Sequence, residues 1–191
     1  MGRLALRQAL REKGLEEVLG QMSGPSAKKA VNALIPFLYS PDEAVRSKAV
    51  SAFGLVMQRL AGEDMEAARV IMRRLMWSLN DESGGIGWGA PEAMAEAMAR
   101  HEGLAQEYAP ILISYIRDDG NYLEYAPLRR SALAGIVRLA RERPVMLEEL
   151  DTRRHLVPFL SSNDPEERSL ADNALICLEP KKSCLLRRKK T

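Results

Sequence analysis

The sequence predicts an all-α fold, a right-handed α–α superhelix of about four helix pairs with an N-terminal helical cap, and three observations carry that prediction. The first is composition. Across 191 residues aromatics make up only 5%, while Ala, Leu, Met, Arg and Glu abound, and these residues lose little on entering a helix. The second is that the apolar residues form runs with helical spacing, 46% of the chain being hydrophobic. The third is an internal repeat. Arg46-Ser-Lys-Ala49-Val-Ser-Ala52-Phe53, Arg129-Arg-Ser-Ala132-Leu-Ala-Gly135-Ile136 and Arg168-Ser-Leu-Ala171-Asp-Asn-Ala174-Leu175 each place small residues three and six positions after an arginine and a large apolar one at the seventh. A weaker copy runs through Ala90, Ala93 and Met94, so the small residues at 49, 90, 132 and 171 are separated by 41, 42 and 39 positions. A period near 40 with helical character is that of stacked helix pairs.

Each element follows in order. Residues 3–20 are expected to form the cap. Four repeats are expected at about 26–61, 64–101, 104–142 and 145–179, in a single domain spanning 1–180. Ahead of each small-residue helix lies an apolar partner: Ala33 to Leu38, Val70 to Met76, Ile111 to Ile116, and Leu156-Val-Pro158-Phe159-Leu160. The small residues share one helix face, where they let the next helix approach closely. Ser40-Pro41-Asp42 and Ser162-Asn163-Asp164-Pro165 form the turns of repeats one and four, with Asp42 and Asp164 placed to cap the helices that follow and Pro165 at a first helical position. Residues 181–191 carry six basic residues and no acid, and read as a disordered tail.

The stretch Leu38-Tyr-Ser40-Pro-Asp42-Glu-Ala-Val45-Arg46-Ser-Lys-Ala49-Val-Ser-Ala52-Phe53-Gly54 resembles the HEAT repeat, the bacterial HEAT-like member of the armadillo-type family. The resemblance covers roughly residues 26–179. It implies that Asp42 with Arg46, and Asp164 with Arg168, bond within or between layers as scaffold. Asn80-Asp-Glu-Ser-Gly-Gly-Ile-Gly-Trp-Gly-Ala-Pro-Glu92, with Asp119-Gly-Asn-Tyr122, is similar to small bacterial HEAT-repeat proteins of no established activity. That likeness implies membership of a group and no mechanism.

Repeats two and three are interrupted where one and four turn tightly, by 80–92 and by 118–127. Equivalent connectors of a solenoid lie on one edge, roughly 10 Å apart, and insertions on one face often mark a binding face. These loops and their borders hold Trp77, Trp88, Tyr122 and Tyr125 together with Asp81, Glu82, Glu92, Asp118, Asp119 and Glu124. Aromatic rings among carboxylates suit a basic or amphipathic peptide, through cation–π contact and charge pairing. Trp77, Asp81, Glu82, Trp88, Glu92, Asp118, Asp119, Tyr122 and Tyr125 are therefore the candidate partner-binding residues. The glycines at 84, 85, 87 and 89 permit close approach.

Net charge is +2, but residues 1–74 carry +4, 75–128 carry −7, 129–180 carry −1 and the tail +6. The −7 segment would repel phosphate, so nucleic acid is not the expected partner; a nucleic-acid reading would need a basic face drawn from Arg73, Arg74, Arg129, Arg130 and the tail. The glycine-rich loop lacks the Lys-Ser/Thr of a P-loop. No Gly-x-Ser-x-Gly elbow or calcium-binding ladder is present, and the single His101-Glu102 pair would leave di-iron under-ligated. His101 reads as an exposed residue at a helix C-terminus. Two cysteines, Cys177 and Cys184, exclude a disulfide framework and a four-cysteine zinc site within one chain, and two histidines, His101 and His155, argue against a histidine-rich metal site. Cys177 reads as buried, and Cys184 among cations as the more reactive thiol. No catalytic residue, metal or cofactor is expected. No apolar run reaches 18 residues, and no signal-peptide core lies in 1–25, so a cytoplasmic protein is expected. The function expected is a protein-binding scaffold, with an enzyme acting on a small cationic substrate at the same rim as the alternative. Self-association through the basic tail is a further expectation.

Overall fold

The computed structural model describes residues 2–24, 26–79 and 87–179. Among these the chain is all-α. Helices α1 (Arg3–Glu12) and α2 (Leu15–Gln21) come first, followed by α3 (Ala27–Leu38), α4 (Glu43–Glu63), α5 (Met65–Ser78), α6 (Ala90–Arg100), α7 (Glu102–Ser114) and α8 (Ala126–Glu142). Short helices α9 (Pro144–Glu149) and α10 (Thr152–Leu156), a 3-10 turn Val157–Ser161 and α11 (Pro165–Leu178) complete it. The expected cap is thus two helices, broken at Lys13-Gly14, and Lys48 on α4 reaches back to donate to the Lys13 carbonyl. Among the described residues no helix is long and apolar enough to cross a membrane.

One layer of helices organises the fold. α4 packs on α6, α6 on α8 and α8 on α11, each pair meeting extensively. The small residues make this approach close: Ala49, Ala52, Ala90, Ala93, Ala97, Ala132, Ala171 and Ala174 are all 0% exposed. Glycine takes the tightest points. A Cβ at Gly54 would sit 2.4 Å from Glu96 Cγ, and one at Gly135 would sit 3.0 Å from both Ala95 Cβ and the Pro91 carbonyl. The other helices bury Leu34, Ile35, Leu38, Met72, Leu75, Leu104 and Leu112 against this layer, each such side chain contributing about 1.5–3 kcal/mol by leaving water.

The turns differ from expectation in an instructive way. Asp42 accepts from the Ala44 and Val45 amides, and Asp164 from those of Glu166 and Glu167, so both are N-caps. Neither bonds its repeat's arginine. Arg46 instead donates to the Ser40 carbonyl at 2.7 Å, Arg129 to Leu123 at 2.8 Å and Arg168 to Ser162 at 2.6 Å. Each arginine occupies the fourth helical position and points back across the turn; at Asp42 and Asp164 the caps already hold their carboxylates on amide donors, and the helix of Arg129 has no carboxylate cap.

Three further readings are corrected. The first helix of the last pair is not continuous: Asp151 takes a left-handed conformation (φ 51°) between α9 and α10, and Leu156–Leu160 passes from helix into a 3-10 turn. His101 stands at the C-terminus of α6 as expected but is half-buried rather than exposed, and it also caps α7, its Nδ1 accepting from the Leu104 amide at 3.3 Å. Cys177 is half-buried and borders a surface groove.

Candidate functional site

The connectors entering α4, α6, α8 and α11 form one continuous rim. The first and second are joined where the Gly89 amide donates to the Leu38 carbonyl at 3.0 Å. No side chain fits there, since a Cβ at Gly89 would lie 2.7 Å from that carbonyl oxygen, and one at Gly87 would lie 2.5 Å from Ser78 Oγ. The second and third meet through Trp88 and Tyr125, whose rings pack edge to face with centroids 5.7 Å apart and planes at 66°. The third and fourth are joined by Arg129, which pairs with Glu167 at 2.7 Å, while Ser162 donates to the same carboxylate at 2.6 Å.

The rim carries two grooves. The first, of about 560 Å3, crosses the first turns of α4, α6, α8 and α11, and Trp88, Glu92, Arg46, Arg130 and Ser131 are among its lining residues. Trp88 keeps 37% of its surface exposed and Tyr125 46%. Glu92 is half-buried and accepts a hydrogen bond from Ser131 Oγ at 3.1 Å, with no ion-pair partner among the described residues. Burial pushes its carboxyl above the ordinary carboxylate range, opposed by the Ser131 hydrogen bond and the charge of Arg46. Arg130 is occupied by Glu166 at 2.7 Å.

The second groove, of about 630 Å3, takes in Asp118, Asp119, Tyr122, Arg129, Arg154 and His155. Four of its charged groups are engaged in pairs, Arg117 with Asp119 and Arg129 with Glu167. Arg117 holds Asp119 through two hydrogen bonds, of 3.0 and 2.9 Å, and lowers its carboxyl pKa. Arg129 stands over the Tyr122 ring, 5.2 Å from its centroid. Burial raises the Tyr122 phenol.

The nine candidate residues therefore separate. Trp88 and Glu92 line the first groove, Tyr125 packs on Trp88 without lining it, and Asp118, Asp119 and Tyr122 line the second. Trp77 projects from the last turn of α5, 77% exposed, and lines neither groove. Asp81 and Glu82 lie outside the described residues, as do Gly84, Gly85, Cys184 and the tail. The arginines that a nucleic-acid face would need are already occupied: Arg73 by Glu66, Arg74 by Asn32, Arg129 by Glu167 and Arg130 by Glu166.

Sequence reasoning missed Ser131 and Glu167, the partners that set the chemistry of each groove. Both lie far along the chain from the groups they bind. The one signal was the arginine recurring at the fourth position of α4, α8 and α11. A third polar node lies deeper in the layer, where Glu96 receives Arg100 and Arg138, each at 2.5 Å.

No family model matches the chain. A protein of Archaeoglobus fulgidus described as uncharacterized is 35% identical over 112 residues, which are 59% of this chain and 58% of that protein. The match thus spans little more than half of the relative, and its source is archaeal where the loop resemblance pointed to bacteria. Among solved structures, a designed armadillo repeat protein superposes with a TM-score of 0.54 at 22% identity, over 92% of this chain and 74% of that one. An engineered protein does so with a TM-score of 0.51 at 18% identity, over 94% of this chain and 48% of that one. At such identities the likeness concerns fold alone, and the fold is that of an all-α, armadillo-type repeat solenoid.

Proposed function

We propose that the protein is a cytoplasmic interaction module that performs no reaction and holds a basic or amphipathic segment of another protein in the first groove. The observation that carries this reading is the groove itself, crossing the first turns of four successive helices with an exposed aromatic pair beside an unpaired carboxylate. Four helices at roughly 8–10 Å spacing make a track of about 25–30 Å, the length of about eight extended residues. That shape suits a chain segment better than a compact small molecule.

Charge selects the segment. Helix N-termini favour anions, but Asp42 and Asp164 already cap two of the four. Glu166 is taken by Arg130, which leaves Glu43 and Glu92 to receive a cation. A lysine or arginine of the partner would place its charge on Glu92 and its aliphatic stem against Trp88. Asp118, exposed at the second groove, would add attraction at longer range.

The test is affinity purification with the wild type beside a Trp88→Ala/Glu92→Gln variant, followed by titration of captured segments as synthetic peptides. The reading expects basic or amphipathic peptides that bind the wild type and lose about thirtyfold or more on the variant, the loss of a binding hot spot. Captured peptides binding both proteins equally would refute it.

A further inference from the structure

The two ends of the helical stack differ in chemistry and complement each other. On α1 an outward stripe of Arg3, Leu4, Arg7 and Arg11 is exposed, Leu4 to 84%. Arg3, Leu4 and Arg7 border a groove of about 650 Å3 that continues over Pro36, Tyr39 and Arg74 and has no carboxylate in its lining. At the opposite end, α9 and the last turn of α11 border a groove of about 850 Å3. Its apolar part is Val145, Cys177 and Leu178, and its acids are Glu148, Glu149 and Glu179. Val145 is 70% exposed, and Ile176 on α11 is 56% exposed, while Leu178 is buried at 3%. Arg153 consumes Glu148 at 2.8 Å, while Glu149 and Glu179 hold no ion pair among the described residues.

We propose that a second copy of this chain docks end to end, with α1 of one copy in the α9–α11 groove of the next. Terminal layers of a repeat stack have a neighbour on one side only and normally carry a polar outer face. Here an apolar residue flanked by cations stands at one end, and an apolar groove flanked by carboxylates at the other. Docking Leu4 against Val145 and Cys177 brings Arg3 and Arg7 towards Glu149 and Glu179, so one contact covers both unlike ends. The contact is heterologous and extends the stack in one direction. The chain's own 181–191 segment, with six cations, is the competing occupant, but it would leave Leu4 uncovered.

Sedimentation velocity of the full chain over a concentration series, at low and high salt, tests this. The expected result is association that grows with concentration and weakens with salt. Arg3→Glu/Arg7→Glu and Glu149→Arg/Glu179→Arg should each lower the association constant by about tenfold or more, and the two sets combined should restore it, because opposite charges again face each other. Leu4→Gln, which leaves charge intact, should weaken association while circular dichroism stays unchanged. A monomer at every concentration would overturn the proposal, and so would a combined variant no better than either single set. Loss of association in an Arg187→Ser/Arg188→Ser/Lys189→Ser/Lys190→Ser variant, with the α1 variants unaffected, would assign the groove to the tail instead.

Discussion

The two grooves of the rim are built from the same kinds of residue and end in opposite states. In the second, the central charges are answered from within: Arg117 holds Asp119, and Arg129 both pairs with Glu167 and covers the Tyr122 ring, while Asp118, Arg154 and His155 at its edge hold no side-chain partner among the described residues. In the first, Glu92 has a single hydroxyl donor, and Trp88 and Tyr125 lean on each other while staying open to solvent. Aromatic and acidic composition alone therefore does not make a docking site. What distinguishes one is a charged group that the fold has partly removed from water and that forms no ion pair among the described residues.

The sharpest way to break the contrast is to open the closed side. Glu167 is 2% exposed and holds both Arg129 and Ser162. Glu167→Ala should cost about 3–5 kcal/mol in chemical denaturation, because it strands a largely buried guanidinium. On the open side, Gly89→Ala would drive a methyl group into the Leu38 carbonyl; a loss of about 1–3 kcal/mol is expected, together with weaker peptide binding as Trp88 shifts. Trp88→Ala should lower stability by only about 1 kcal/mol, the worth of its ring pair, yet cost at least about 2 kcal/mol of peptide affinity by calorimetry.

Glu92→Gln sharpens the contrast through pH. Because burial raises the folded carboxyl above its ordinary value near 4.5, the protonated group favours folding. That contribution is complete below the ordinary value and is lost as pH rises through the folded one. The glutamine variant should thus be no less stable than wild type at neutral pH in thermal melts. Its peptide affinity should lack the rise with pH that the wild type shows as Glu92 ionises. Asp119→Asn, at an exposed pair, should change neither melting temperature nor peptide affinity measurably.

Much of this was legible along the chain. The small residues at 49, 90, 132 and 171 all lie fully buried in one helix layer, since close packing leaves no choice at those positions. The Asp42 and Asp164 caps were legible because capping is local. The break at Asp151 was not: aspartate enters the left-handed region more readily than most residues, but the apolar pattern around it gives no sign of a helix break. The division of the rim escaped for a different reason. It depends on Glu167 reaching Arg129 across 38 positions and Ser131 reaching Glu92 across 39. Two clues were nonetheless present. Arg117 stands two residues from Asp119, close enough to neutralise it. Trp77 falls off the face set by Ala68, Ile71, Met72 and Leu75, which are the buried side of α5.

The central claim is that the first groove is the docking surface, with Trp88 and Glu92 as its reading groups. A Trp77→Phe protein keeps Trp88 as its only tryptophan, so its emission reports on that groove alone. Titrated with an amphipathic lysine-containing peptide, it should show a saturable shift in Trp88 emission that is salt-sensitive and needs a higher peptide concentration in Glu92→Gln. A peptide that binds, by calorimetry, while Trp88 emission stays unchanged would place the docking surface elsewhere and contradict the account.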